Sequence, residues 1–205
     1  GFRIGSVLIP IVPQAILMDL LNGGDKSWAL YSPYRDLGHA AFAAATAGDF
    51  ALGTVGAGTG ATTANLKGGL GSASQRTSRG HTVAAIVAVN AMGSAVIGDG
   101  PHFWAAPFEQ GAEFGAQGLP AAVTPADTAM RIKGVATTAT TIGAVVTDAI
   151  LTKAEAHRLS IVAHDGLARA VQPAHLSLDG DTVFAASTGL LPMAGLEDFM
   201  EICHA

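Results

Sequence analysis

The apolar and polar positions of this chain change period twice between residues 140 and 184, and the remaining elements can be placed relative to that change. The stretch TTIGAVVTDA, residues 140–149, carries small or apolar side chains on both alternating faces: Ile142, Ala144 and Val146 on one, Val145 on the other. That pattern predicts a strand buried on both sides. Thr152 followed by Glu155 has the spacing of a capping box, in which hydroxyl and carboxylate each satisfy an orphan amide at a helix start. A helix over 153–171 should follow, with an inner stripe of Leu159, Val162, Ala163, Leu167, Ala170 and Val171. Asp165 stands four residues before Arg169, the favourable order for an exposed ion pair, and Pro173 ends the helix. The sequence LDGDTVF then sets Asp179 and Asp181 around Gly180 ahead of another strand from Thr182.

Upstream, the pattern predicts a strand over 7–12, a short helix over 14–21 closed by Asn22, Gly23 and Gly24, and an Ala-rich, tightly packed helix from Leu37 with Gly48 beyond its end. The longest run low in charge, residues 80–98, contains His81 and Asn90 and suits a buried strand and turn better than a membrane span. Residues 99–120 read as a long loop plugged by Phe103, Trp104 and Phe108, and 125–133 as a short helix. The segment 53–74 is dense in glycine but has neither a complete G-x-G-x-x-G nor G-x-x-x-x-G-K-[ST]. Its glycines therefore point to close backbone approach rather than to nucleotide binding.

Composition narrows the function classes. With 205 residues, 49% hydrophobic and 13% charged, the chain can bury one sizeable core and is too apolar to be disordered. Its 11 Lys and Arg against 16 Asp and Glu, net charge -5, argue against a nucleic-acid surface. The lone Cys203 rules out an internal disulfide. His39, His157 and His164 lack a third partner at metal spacing, so no metal and no cofactor are expected. A soluble protein is expected, without a membrane partner, in the cytoplasm or periplasm. The chemically suggestive feature is the crowd of hydroxyls Thr137, Thr138, Thr140 and Thr141 after Gly134. Threonine favours strands on its own account, and on spacing alone a plain strand explains the crowd better than a nucleophile does.

The blocks LLNGGDKSWALYSPYRDLGHAA, GAGTGATTANLKGGLGS, VAVNAMGSAVIGDGPHFWAAPFE, TTIGAVVTDA, LTKAEAHRLSIVAHDGLARAV and LDGDTVFA change that balance. In this order they resemble the DmpA-type self-processing aminopeptidases, a family that includes β-peptidyl aminopeptidases and nylon-oligomer hydrolases. The resemblance covers most of the chain. It implies an α+β fold, an αββα sandwich resembling the N-terminal-nucleophile hydrolases, made as a precursor and cut just before a Ser or Thr that becomes the nucleophile.

On that resemblance the cut falls between 139 and 140 and Thr140 is the nucleophile, its freed α-amine acting as general base. Lys67 falls on a lysine that hydrogen-bonds the nucleophile, Asn90 on an asparagine that holds the reacting carbonyl, and Asp179 and Asp181 on carboxylates lining the pocket. Two departures stand out: Ala139 replaces an asparagine common in relatives, and Met18 occupies a position that is aromatic in nylon-oligomer hydrolases and reads here as core filler. The implied partners are a small peptide or amide substrate and further copies of the chain, in a homo-oligomer of processed pairs. Residues 1–205 are expected to form a single hydrolase domain lacking an N-terminal segment. The competing expectation is an unprocessed or non-catalytic piece of the same fold that serves as a structural or binding module.

Overall fold

The computed structural model describes residues 2–134 and 138–205. Thr137, one of the four candidate hydroxyls, lies outside the described residues.

A four-stranded sheet carries the molecule, built from β3 (Gly69–Arg76), β4 (Thr82–Val89), β5 (Ile142–Ala149) and β6 (Thr182–Leu191) in that spatial order. The first two strands form an antiparallel hairpin running from Gly69↔Val89 to Arg76↔Thr82. Strands β4 and β5 are also antiparallel, Val83 facing Thr147 and Ala88 facing Ile142. Strands β5 and β6 are parallel, with Ile142 opposite Thr182, and a parallel pair needs a crossover. Helix α2 (Lys153–Ala170) supplies it and starts at the expected cap. The Thr152 hydroxyl accepts the Glu155 amide at 3.2 Å, and the Glu155 carboxylate accepts the Thr152 amide at 2.7 Å.

Leu159 of α2 packs with Val83, Val145, Ala149 and Ile202, the last from α3 (Leu196–His204), and Val183 and Ala185 border the cluster. Because both helices lie on this face, β5 alternates. Thr141, Gly143, Val145, Thr147 and Ala149 on the helix side are buried, whereas Ile142, Ala144 and Val146 remain half-buried. The expectation of burial on both faces therefore holds for one face only. The α+β class is as expected, with one helical layer over one sheet among the described residues.

The N-terminal part departs further from the pattern. Strands β1 (Phe2–Ile4) and β2 (Val7–Ile9) make a separate antiparallel hairpin in which every residue is exposed. No helix forms over 14–21. Helix α1 (Tyr34–Ala44) starts three residues earlier than predicted and buries none of its side chains, so it is not the tightly packed helix expected. His39 is accordingly exposed.

Residues 80–98 become β4 and a buried turn, and no helix among the described residues is long and apolar enough to cross a membrane. In the long loop Phe103 stacks on Phe114 at 5.1 Å, while Phe108 is 59% exposed beneath the Arg169 guanidinium. That contact takes Arg169 away from Asp165, and among the described residues no ion pair joins the two. The segment 125–133 closes a single turn, with the Asp127 carboxylate accepting the Thr124 amide and hydroxyl at 2.8 and 2.7 Å, and does not continue as a helix.

Glycine in 53–74 does permit close approach. A Cβ on Gly68 would lie 1.9 Å from the Val89 carbonyl, and one on Gly58 would lie 2.4 Å from that of Gly53.

Candidate active site

The site lies where the chain enters β5 beside the LDGD turn. Ala139 pairs in parallel with Asp179 as a single bridge ahead of the β5–β6 ladder. The Ala139 amide donates to the Leu178 carbonyl at 3.0 Å, and the Gly180 amide donates to the Ala139 carbonyl at 2.8 Å. The peptide bond between Ala139 and Thr140 is thereby fixed from both sides before any side chain acts.

Thr140 is 6% exposed and its hydroxyl donates to the Ala139 carbonyl oxygen at 2.6 Å. Its amide donates to the Asn90 carbonyl at 3.0 Å, and the next amide, of Thr141, donates to Asp181 Oδ1 at 2.9 Å. Among the described residues the hydroxyls of Thr138 and Thr141, together with Asp179 Oδ1, are buried polar atoms that find no hydrogen-bond partner. Such atoms are rare in folded proteins, and three beside one peptide bond mark a place not built for stability alone.

Asn90 is fully buried and serves as a hub. Its Oδ1 accepts from Lys133 Nζ at 2.7 Å, Asn22 Nδ2 at 3.0 Å and the Thr62 amide at 3.1 Å. Its Nδ2 donates to the Met18 carbonyl at 2.7 Å. The Asn90 amide group thus grips residue 18, and it is the Asn90 backbone carbonyl that holds Thr140. The backbone donor on the Ala139 carbonyl is the Gly180 N–H, which no side-chain pattern announces. Gly180 does not need a positive φ here. A Cβ on it would stand 3.2 Å from the Thr140 hydroxyl, so its smallness is what the site uses.

Lys67 lies in the turn before β3, exposed, and its ammonium makes no hydrogen bond to Thr140. The buried cation of the site is instead Lys133, 6% exposed, with Nζ on the side-chain and backbone oxygens of Asn90 at 2.7 and 3.2 Å. Burial drives its pKa down to about 8 against the opposing attraction of Asp179.

Asp179 is pushed up to about 6, first by burial and then by the neighbouring Asp181 charge, and its Oδ2 accepts the Met92 amide at 3.4 Å. The Asp181 side chain is 3% exposed and its Oδ2 takes the His175 ring Nδ1 at 2.8 Å. His175 has the left-handed φ of 58°, a strain that brings backbone and ring to the same carboxylate. The structure thus gathers Thr140, Asn90, Asp179 and Asp181 as the resemblance suggests, sets Lys67 opposite Thr62, whose amide donates to Asn90, and adds Lys133, Gly180, Asn22 and His175. Among the described residues no group of three or more His, Cys, Asp or Glu could hold a metal ion.

The fold is similar to that of solved structures whose descriptions name aminopeptidases. A β-aminopeptidase of Burkholderia aligns with a TM-score of 0.52 at 22% identity, over 82% of this chain and 47% of that one. The L-aminopeptidase D-Ala-esterase/amidase of Ochrobactrum anthropi, described as a new variant among the Ntn hydrolase fold, aligns with a TM-score of 0.50 at 20% identity, over 77% of this chain and 43% of that one. At these identities the likeness speaks for the fold. In sequence, a Mycobacterium tuberculosis protein named an uncharacterized aminopeptidase is 42% identical over 202 residues, 96% of this chain and 57% of the relative. Peptidase family S58 matches residues 3–201, and the chain belongs to that family.

Proposed function

We propose that this chain carries the catalytic core of an amide hydrolase of aminopeptidase type, which first cuts itself between Ala139 and Thr140 and then uses Thr140 as an N-terminal nucleophile. The observation that carries the reading is the Thr140 hydroxyl lying 2.6 Å from the oxygen of the carbonyl it would attack, while Gly180 N–H already donates to that oxygen.

In the first step Thr140 Oγ bonds to the Ala139 carbonyl carbon and gives up its proton, and negative charge develops on an oxygen with a donor in place. Asp179 is suited to take the proton: its raised pKa makes it a better base than an ordinary carboxylate once ionised, and one of its oxygens is unpartnered. The carbon–nitrogen bond breaks as the nitrogen regains a proton, leaving an ester, and water then releases the Ala139 carboxylate and the Thr140 hydroxyl. The freed α-amine of Thr140 becomes the base for later turnovers on a small peptide or amide, the hydroxyl forming and losing an acyl ester in the same way. Asp181 fixes the turn through the Thr141 amide, and the pair of carboxylates suits a substrate bearing a free amine. A homo-oligomer of processed pairs belongs to the same reading.

The test is intact-mass measurement with N-terminal sequencing, paired with turnover on α-, D- and β-aminoacyl nitroanilides and nylon-type amides. Two polypeptides are expected, the smaller beginning TTIGAVV, with Thr140→Ala uncut and without turnover. A fully active single chain would sink the proposal.

A further inference from the structure

Among the groups around Thr140 to which the self-cleavage scheme gives no task, Lys133 is the buried cation. A lysine buried to 6% exposure is costly unless its charge is used. Its ammonium does not reach an exposed carboxylate. Among the described residues its ammonium donates only to Asn90, once to the backbone carbonyl that also accepts the Thr140 amide. Its own amide is pinned to the Met92 carbonyl at 3.0 Å, and the Met92 amide in turn faces Asp179. Lys133 therefore stands behind both groups that must hold or release a proton, the Thr140 nitrogen and the Asp179 carboxyl, without touching the reacting atoms.

We propose that Lys133 is the positioning cation of this site: held on both oxygens of Asn90, it fixes the carbonyl that grips the Thr140 nitrogen and keeps a positive charge beside the working base. The proposal rests on Thr140 being the nucleophile. A fixed cation nearby disfavours a second proton on the Thr140 amine and favours the ionised form of Asp179, so either base works at lower pH with Lys133 in place. The titratable groups facing this charge are Asp179 and, behind it, Asp181 and His175. Asn90 Oδ1 keeps two other donors, Asn22 and Thr62, so losing the ammonium removes the charge while leaving the hub tied.

The experiment compares the full-length protein with Lys133→Met, Lys133→Arg and Thr140→Ala, following self-cleavage by intact mass and the pH profile of kcat/KM on an aminoacyl nitroanilide. Lys133→Met keeps the apolar stem and removes the charge. Its acidic limb should move up by about one pH unit, which below the limb reads as a roughly tenfold slower cut and turnover. Lys133→Arg should hold the limb near the parent position. Lys133→Gln is the second neutral variant, so the comparison does not depend on one variant folding, and thermal unfolding reports on folding for each. Neutral variants that fold and keep the parent's limb overturn the proposal, even if their rates fall uniformly, because a purely structural lysine would behave that way. In that case an inactive Thr140→Ala leaves the nucleophile assignment standing. A Thr140→Ala protein that cuts and turns over like the parent removes the nucleophile and this inference together.

Discussion

At the scale of single residues, Asp179 couples activity to stability in opposite senses. Its carboxyl is raised from an ordinary 3.8 to about 6, so the folded chain binds this proton more tightly than the unfolded chain does. Folding stability attributable to it therefore falls as pH rises from about 4 to about 6. Asp179→Asn should abolish that decline, leave the unfolding midpoint at pH 7 no lower than the parent's, and lower kcat/KM about 100-fold or more. Urea titrations at pH 4 and 7 beside the kinetics check it. Asp181 behaves differently, since its side chain is buried and its oxygens hold the Thr141 amide and His175. Asp181→Asn should lower stability and activity together rather than spare the fold as a surface carboxylate would. Gly180→Ala adds a methyl 3.2 Å from the Thr140 hydroxyl and should slow self-cleavage while leaving the circular dichroism spectrum unchanged.

Thr140, Asn90 and the two aspartates were legible through the resemblance of the blocks that hold them and not from spacing, since a crowd of threonines reads first as a plain strand. Lys133 was not, because 125–133 reads as a short helix and only the tertiary path buries its last side chain. Gly180 acts through a backbone N–H that has no sequence signature.

At the scale of elements, what the sequence made plain was whatever local physics decides. The capping box at Thr152 and Glu155 appears as predicted, and Thr152→Ala should lower the unfolding free energy by about 1 kcal/mol, measured by urea denaturation. The β5–α2–β6 unit follows from its switch of period. The predicted helix over 14–21 fails because long-range bonds claim its backbone and the turn after it. Met18 gives its carbonyl to Asn90, and Asn22, expected merely to close the helix, reaches Gly60 at 2.9 Å and Asn90 at 3.0 Å. The segment 125–133 stops after one turn for a related reason. Lys133 must drop into the core with its amide on Met92, and a continuing helix would carry it away.

At the scale of the whole molecule, the helices cover one face of the sheet and leave Ile142, Ala144 and Val146 half-buried on the other, with Ile86 36% exposed beside them. The hairpin of β1 and β2 exposes Phe2, Ile4, Val7 and Leu8 as well. Apolar surface of this extent favours association, and these 205 residues on their own should show a mass in light scattering that rises with concentration. The chain spans 57% of the curated M. tuberculosis relative that it matches.

The Asn90 hub has a consequence at this same scale. It joins chain neighbourhoods at Met18, Asn22, Thr62, Lys133 and Thr140 that are far apart in sequence, and the bond before Thr140 is oriented only when all of them have arrived. If that bond is the one cut, scission works as a folding checkpoint: a nascent or misassembled chain cannot pass it, and passing it commits the chain irreversibly. The proportion of cut chains would then be a permanent record of how many molecules had once reached the native arrangement.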